Sequence, residues 1–239
     1  MEISSLAIDS NLKELLISEG YSELYPSQEA SIDKGLLQGK NLLVCTPTAS
    51  GKTLIAKIAA GQFLLNNKKV VYLCPLRALA YEKYEDFKNL QTLKKINGRD
   101  ITVRISTGDF DSSGEKLNQS DFLILTYEKF DSLLRHGLSW FNEIGLFVID
   151  EIHGLGSINR GSTLEMIIAN ILNRNSTQII GLSATITNSK EISDWLNAKR
   201  VISNWRPVDL DEGIYHYNQI EFESGIIRKI TQGKMDSSV

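Results

Sequence analysis

The eight-residue segment from Thr46 to Thr53 constrains the fold of this chain more than any other. It lies between an apolar run, Leu42–Cys45, and a run of helical composition, Leu54–Ala60. A buried strand that passes through a loop of small residues into a helix N-terminus directs backbone N–H groups and the helix dipole towards an anion. The segment therefore predicts a polyphosphate-binding loop in an α/β domain. Its residues are Thr46, Pro47, Thr48, Ala49, Ser50, Gly51, Lys52 and Thr53.

The end of this loop matches the phosphate-loop pattern GxxxxGK[ST]. In that pattern the lysine, here Lys52, contacts the β- and γ-phosphates, and the hydroxyl of the last residue, here Thr53, ligates Mg²⁺. Two positions deviate, because Thr46 replaces the first glycine and Ala49 stands where many such loops carry a second one. For the loop alone, the structural alternative is a strand-to-helix turn with a chance Lys-Thr pair.

Size and composition fit one large soluble α/β domain of 239 residues. No apolar run approaches the roughly 20 residues that span a bilayer, and the N-terminus lacks a signal-peptide pattern. We therefore expect a cytoplasmic protein without membrane contact. The net charge of −3 argues against a globally basic nucleic-acid binder, so any such contact must be local. Cys45 and Cys74 end apolar runs and are interpreted as core residues, since no Cys/His spacing suits zinc.

Strand-like and helix-like segments alternate along the chain, which predicts a mostly parallel sheet with helices on both faces. A short amphipathic helix is expected within residues 1–20, and Ser162 with Glu165 forms a capping signal for one of the later helices. The domain boundaries that we predict are 1–24 for an N-terminal helical segment, 25–203 for the α/β domain and 204–239 for an exit segment. The predicted strands are 42–45, 69–74, 101–105, 121–126, 146–149 and 179–182, and the predicted longer helices are 26–39, 76–90, 127–136 and 162–172.

Polar and small residues follow nearly every predicted strand, at the sheet edge where ligands bind in parallel α/β proteins. Asp150 and Glu151 directly follow the apolar run Leu146–Ile149. Asp150 is thus a candidate Mg²⁺ ligand, and Glu151 a candidate for orienting the water that attacks a γ-phosphate. We expect this acidic pair and the lysine loop on neighbouring strand tips. His153 has no second ligand at a zinc spacing, so we favour a hydrogen-bonding role.

That role would link the carboxylates to Ser183 and Thr185, which follow the last predicted core strand. Gln28 lies a few residues before the strand that leads into the loop. Its amide can donate to and accept from an adenine edge. A solvated helix glutamine is the alternative that Gln28 alone favours.

Seven segments together resemble the superfamily 2 helicases, and within them the archaeal Hjm-type ATP-dependent DNA helicases of the Ski-two-like branch. Their order and spacing match over roughly residues 20–215, including the exit segment Trp205–Val208. The resemblance implies the N-terminal RecA-like motor domain, a P-loop NTPase fold. The segments are YPSQ (25–28), TPTASGKT (46–53), PLRALA (75–80), STGDFD (106–111), TYEKFDSLLRH (126–136), DEIH (150–153) and SAT (183–185).

The resemblance also implies ligands and residue roles. Gln28 would read adenine, the loop would hold ATP and Mg²⁺, and Lys52, Asp150 and Glu151 would run hydrolysis. His153, Ser183 and Thr185 would couple nucleotide state to movement. The residues implied for a single-strand track are Arg77, Thr107, Gly108, Thr126, Glu128 and Lys129.

The implied partners are single-stranded and forked DNA, a second RecA-like domain and further C-terminal domains. No arginine-finger motif is found after Tyr217, and Gly233–Val239 is interpreted as a frayed end. We therefore expect the isolated chain to be a nearly inactive monomer. Three alternative functions are an RNA helicase of the same branch, a non-catalytic nucleotide-binding scaffold and a small-molecule kinase. For the kinase, the chain shows no arginine-rich lid.

Overall fold

The computed structural model describes residues 1–108, 117–158, 160–173, 177–208 and 211–229. The chain divides into two units between residues 205 and 206, and the second unit is described as far as residue 229. The predicted loop residues Asp109–Asp111 and the predicted frayed end Gly233–Val239 lie outside the described residues. Every helix among the described residues is too short or too polar to span a lipid bilayer.

The first unit is built on a seven-stranded sheet in which every pair of neighbouring strands is parallel. The strands are β1 (Leu42–Cys45), β2 (Lys69–Cys74), β3 (Val103–Ser106), β4 (Phe122–Thr126), β5 (Ile144–Ile149), β6 (Gln178–Ser183) and β7 (Lys199–Ile202). Their spatial order is β3-β4-β2-β5-β6-β1-β7. This arrangement confirms the predicted parallel α/β fold.

Helices cover both faces of the sheet, as predicted. On one face lie α1 (Ser10–Ser18), α2 (Pro26–Asp33), α3 (Lys52–Leu65) and α4 (Arg77–Phe87), and on the other lie α5 (Tyr127–Arg135), α6 (Gly161–Leu172) and α7 (Ser189–Trp195). The apolar runs of the strands serve both faces, because successive side chains point to opposite sides. In β2, Tyr72 packs in the core under the first group of helices, and Leu73 packs in the core under the second group.

Two sequence predictions about helix ends and one about strand order need correction. The helix that begins at Pro26 ends at Asp33 rather than near residue 39, because Gly35 adopts a φ of 101° and redirects the chain. Ser162 does not cap α6, since the N-cap position is Arg160 and lacks a side-chain cap. The acidic pair and the lysine loop are not on neighbouring strands, because β6 lies between β1 and β5.

The sequence analysis also missed several elements. Helix α7 and strand β7 add an edge to the sheet beyond β1. The second unit carries a three-stranded antiparallel sheet of order β10-β9-β8, formed by β8 (Gly213–His216), β9 (Gln219–Phe222) and β10 (Ile227–Lys229). These short strands lack the long apolar runs that identify the central strands.

Candidate nucleotide and nucleic-acid sites

The loop after β1 and the acidic residues after β5 line one open cleft at the carboxyl edge of the sheet. The cleft has a volume of ≈ 1160 Å³. Its walls include Lys52 and Thr53 on one side and Asp150 and Glu151 on the other. The intervening strand β6 does not separate them, since the small residue Ala184 follows it at the cleft wall. The carboxyl edge therefore brings together the residues predicted to bind phosphate and metal.

The loop is held by its own side chains. The Lys52 ammonium donates to the carbonyl oxygens of Thr46 and Pro47, at 2.9 Å each. The Thr46 and Ser50 hydroxyls lie 2.6 Å apart, and Ser50 Oγ donates to the Pro47 carbonyl at 2.7 Å. Thr46, Pro47 and Ser50 thus shape the loop from behind, whereas Thr48, Ala49 and Gly51 line the cleft.

Backbone conformation explains the two departures from the glycine pattern. Thr46 is absent from the positive-φ residues, so glycine is not required there, and its hydroxyl instead bonds Ser50. Ala49 does adopt a positive φ, 63°, which is uncommon for a residue other than glycine. Gly51 has a φ of 80°, and its missing side chain makes room for Gln28.

Gln28 braces this loop through hydrogen bonds of its side-chain amide. It is 3% exposed, its Oε1 accepts from the backbone N–H of Tyr25 at 2.7 Å, and its Nε2 donates to the Gly51 carbonyl at 2.9 Å. The ring of Tyr25 packs against Trp205, with ring centroids 4.6 Å apart. The alternative of a solvated helix glutamine is therefore wrong, and adenine reading by Gln28 stays a prediction.

Burial dominates the electrostatics of the cleft. It raises the pKa of Asp150, although a hydrogen bond from the Tyr72 hydroxyl at 2.8 Å opposes the rise. It lowers the pKa of Lys52, and the nearby Glu151 and Asp150 carboxylates oppose that change. The Asp150 backbone is fixed as well, because its carbonyl accepts from the Tyr127 hydroxyl. Without a bound cation, the cleft therefore holds a carboxylate under an unfavourable burial cost.

We expect Asp150→Asn to raise the melting temperature of the metal-free chain at neutral pH. Because the pKa of Asp150 is raised by folding, its stability contribution is present below the unfolded pKa and is lost as the pH rises through the folded value. Asparagine removes the charge and keeps the shape, so its advantage should appear at neutral pH and shrink towards about pH 4. Thermal unfolding with a chelator present, measured across this range, checks the effect.

Asp121 provides the matched control for this substitution. Burial alone would raise its pKa, but hydrogen bonds from Lys95 and from Thr102 outweigh burial and lower it. Folding therefore favours the charged form of Asp121, and Asp121→Asn should lower the melting temperature at neutral pH. Equal shifts of the same sign in both variants would contradict the burial cost assigned to Asp150.

Glu151 and His153 continue the site from the end of β5. Glu151 has a φ of 53°, a conformation that is costly for this residue type and is found at functional sites. His153 Nδ1 lies 3.2 Å from Glu151 Oε2 and 3.4 Å from Ser183 Oγ. The histidine thus links a carboxylate to Ser183, as the sequence predicts. Thr185 is exposed and makes no hydrogen bond to His153 in the described part of the chain, so its predicted place in this link is wrong.

A groove of ≈ 470 Å³ adjoins the cleft and collects every residue predicted for a single-strand track. Its outer wall includes the exposed Arg77, and Thr126 caps α5 by accepting from the Lys129 N–H at 3.2 Å. The predicted residues among its lining are Arg77, Thr107, Gly108, Thr126, Glu128 and Lys129. Segments far apart in sequence therefore meet on one surface, as the ends of parallel strands allow.

Two basic residues at these sites were missed by the sequence analysis. Arg160 lines both the cleft and the groove, and its Nε lies 3.4 Å from Glu128 Oε1. Lys83 lines the cleft and donates to Thr53 Oγ1 at 3.4 Å. Neither lies within a motif. Lys83 lies on α4 just beyond the PLRALA segment, and Arg160 directly precedes α6, so their basic character was the only indication in the sequence.

The donor set of the cleft suits Mg²⁺ bound together with phosphate. Thr53 offers a hydroxyl and Asp150 a carboxylate, which are the oxygen ligands that this ion prefers. The described residues contain no group of three or more His, Cys, Asp or Glu side chains able to hold a metal ion. Mg²⁺ usually takes one or two carboxylates and completes its shell with water and substrate phosphates. The cleft therefore fits a metal that arrives with a nucleotide.

A parallel sheet with helices on both faces, a phosphate loop after one strand and an acidic pair after another defines a RecA-like P-loop NTPase domain. Comparison with known families narrows this class. Residues 25–192 match the DEAD/DEAH box helicases, and the chain belongs to this family.

The chain is also similar to individual helicases. The chain is 49% identical over 230 residues to the ATP-dependent DNA helicase Hel308 of Pyrococcus horikoshii, and 45% identical over 228 residues to that of Thermococcus kodakarensis. The crystal structure of the DUF1998 helicase MrfA bound to DNA matches with a TM-score of 0.68 and 27% identity over 82% of this chain. The resemblance to archaeal DNA helicases drawn from the motifs is confirmed.

These alignments cover most of this chain but a minor part of each relative. The two Hel308 alignments include 96% and 95% of this chain, and 31% and 20% of the relatives. The MrfA match includes 30% of that chain. The chain thus spans less than a third of the length of these proteins.

Proposed function

We propose that this chain is the ATP-binding motor domain of a DNA helicase that couples ATP hydrolysis to translocation on single-stranded DNA and to duplex unwinding. One observation carries the proposal: the nucleotide cleft and the groove adjoin and share wall residues. Pro75, Leu76 and Arg160 line both. Nucleotide phosphates in the cleft and a strand in the groove would therefore contact the same wall residues. A motor needs this proximity, because a change at the phosphates must move the bound strand.

In the cleft, the loop N–H groups and Lys52 would bind the β- and γ-phosphates, with Thr53 and Asp150 holding Mg²⁺. The bound metal would neutralise charge on the phosphate oxygens. Glu151 would orient and polarise the attacking water. His153 contacts both Glu151 and Ser183, so it would transmit the state of the cleft to the strand end after β6.

In the groove, Arg77 would contact backbone phosphates of the strand, and Lys129 would support the same wall. Non-specific binding to single strands depends on such local charge together with backbone contacts. The relatives named as DNA helicases support DNA over RNA as the ligand. We further propose that ATP hydrolysis needs a second RecA-like domain, that C-terminal domains complete the machine on forked DNA, and that the protein works in the cytoplasm.

Arg77→Ala tests the strand-binding role of the groove. We expect the variant to bind a fluorescent oligo(dT) more weakly than the wild type at low salt and to lower the slope of log K against log salt by about 1. Fluorescence anisotropy over a salt series measures both. Arg99→Ala is the control, since Arg99 is also an exposed arginine but lies outside the groove lining.

One outcome would overturn the role of the groove, and another would overturn DNA as its ligand. If both arginine variants lost the same affinity, binding would reflect overall charge and not the groove. If a matched oligo(rU) bound more tightly than oligo(dT), the ligand would be RNA and the chain would belong to an RNA helicase.

A further inference from the structure

Lys83 is a buried cation in the nucleotide cleft to which no role has been assigned. It lies on α4, its side chain is 10% exposed, and it shares the cleft wall with Thr53 and Asp150. Its Nζ donates to Thr53 Oγ1 at 3.4 Å. A lysine is seldom buried to this extent unless its charge meets partners. The partners of Lys83 therefore decide what it can do.

Two carboxylates pair with the Lys83 ammonium, and one of them, Glu82, also lines the cleft. Glu82 Oε1 lies at 2.8 Å and Asp86 Oδ2 at 3.1 Å, and these side chains are 60% and 38% exposed. Lys83 thus contacts two partly solvated carboxylates and also the Thr53 hydroxyl at the end of the phosphate loop.

A hydrogen bond from Lys57 fixes α4 relative to the loop. The Asp86 carbonyl accepts from Lys57 Nζ at 2.8 Å, and Lys57 in turn donates to Glu19 Oε1 at 2.6 Å. Lys57 lies on α3 four residues beyond Thr53, which is one helical turn. Because α3 begins at the phosphate loop, this contact sets the distance between the Lys83 ammonium and Thr53.

We propose that Lys83 is a second phosphate-binding lysine of this motor domain, which supplies its charge from α4 to a nucleotide phosphate oxygen beside Thr53. The inference rests on the proposed function, in which the cleft takes a nucleoside triphosphate. An anion bound beside Thr53 Oγ1 would lie next to the Lys83 ammonium, because that ammonium already contacts this oxygen. Lys83 would then complement Lys52, which approaches the phosphates from the loop itself.

Lys83→Gln should weaken the binding of Mg–ATP at least about tenfold, since a hydrogen bond to a charged group contributes about 1.5–3 kcal/mol. Equilibrium titration of the chain with a fluorescent ATP analogue measures this Kd without relying on hydrolysis. Lys83→Arg, which keeps the charge, should retain most of the affinity. Lys88→Gln is the matched control, because Lys88 is 43% exposed, pairs with Glu85 and lies outside the cleft lining.

A purely structural role for Lys83 predicts a different pattern. Asp86→Asn removes a partner of the ammonium but leaves the cleft chemistry intact, so our proposal expects ATP affinity to stay the same or increase. If Asp86→Asn and Lys83→Gln weakened ATP binding equally, Lys83 would only anchor α4 and the proposal would be wrong. Thermal unfolding of both variants shows the stability change separately.

Lys52→Ala separates this inference from the proposed function. If the wild type binds ATP, Lys52→Ala loses it and Lys83→Gln binds normally, the role of Lys83 is refuted and the nucleotide cleft stands. If the wild type itself binds no ATP, the proposed function and the role of Lys83 both fail.

Discussion

Glu151→Gln should lower the rate of ATP hydrolysis by about 10²–10⁴-fold, the usual contribution of a general base, and should leave ATP binding intact. Glutamine has the same shape as glutamate but does not take a proton from water. The Glu151 carboxylate is aimed by a backbone φ of 53° and by His153 Nδ1 at 3.2 Å. Because the substitution keeps the side-chain length, the geometry of the loop and of Asp150 should persist.

The measurement must resolve slow chemistry. An arginine finger contributes about 10³–10⁵-fold to the rate in this class of reaction, and we expect a second domain to supply it. Single-turnover hydrolysis with the chain in excess over radiolabelled ATP reaches such rates, and a fluorescent-nucleotide titration gives the Kd in parallel. Glu143→Gln is the matched control, since Glu143 precedes β5 whereas Glu151 follows it, at the opposite end of the strand.

The outcome also separates an enzyme from a scaffold. A nucleotide-binding scaffold would show the same hydrolysis rate in the wild type, Glu151→Gln and Glu143→Gln. Fast hydrolysis by the wild-type chain that DNA stimulates strongly would contradict the need for a second domain. Loss of ATP binding in Glu151→Gln would show that this carboxylate acts in binding.

The central strands and their ligand-binding edge could be predicted because a few neighbouring residues identify them. A continuous apolar run followed by small or polar residues identifies a buried parallel strand and its ligand-binding end in the same few letters. The run before Asp150 and the run before Thr46 are of this kind. Parallel pairing then brings the ends of these strands to one edge, even though β6 separates β1 from β5.

The contacts of Lys83, Arg160 and Gln28 could not be predicted because they join segments that are distant in the sequence. Lys83 reaches the cleft only because α4 packs beside α3, and Arg160 meets Glu128 from a different strand connection. The sequence alone leaves the Gln28 amide available to a ligand or to solvent, whereas in the fold it donates to the Gly51 carbonyl. Residue type and spacing do not carry this information.

Gly51→Ala should unfold the chain more readily and weaken ATP binding at least about tenfold. Gly51 has a φ of 80°, where an L-residue costs about 1–2 kcal/mol. A Cβ there would also overlap the Gln28 amide nitrogen and lie 3.1 Å from the Tyr25 ring. Displacing the Gln28 amide leaves buried hydrogen-bonding groups unpaired, at a cost of about 1–3 kcal/mol. We therefore expect a loss of about 2–5 kcal/mol in the free energy of unfolding.

Gly98→Ala isolates the backbone term in this prediction. Gly98 has a φ of 78°, but nothing lies within 4 Å of the position that its Cβ would take. The variant should therefore lose only the conformational cost of about 1–2 kcal/mol and should bind ATP like the wild type. Urea unfolding of both variants, with nucleotide titrations, gives the two quantities. If Gly51→Ala were no worse than Gly98→Ala in both, Gln28 would not brace the phosphate loop, and close contact between these two segments would have no part in forming the nucleotide cleft.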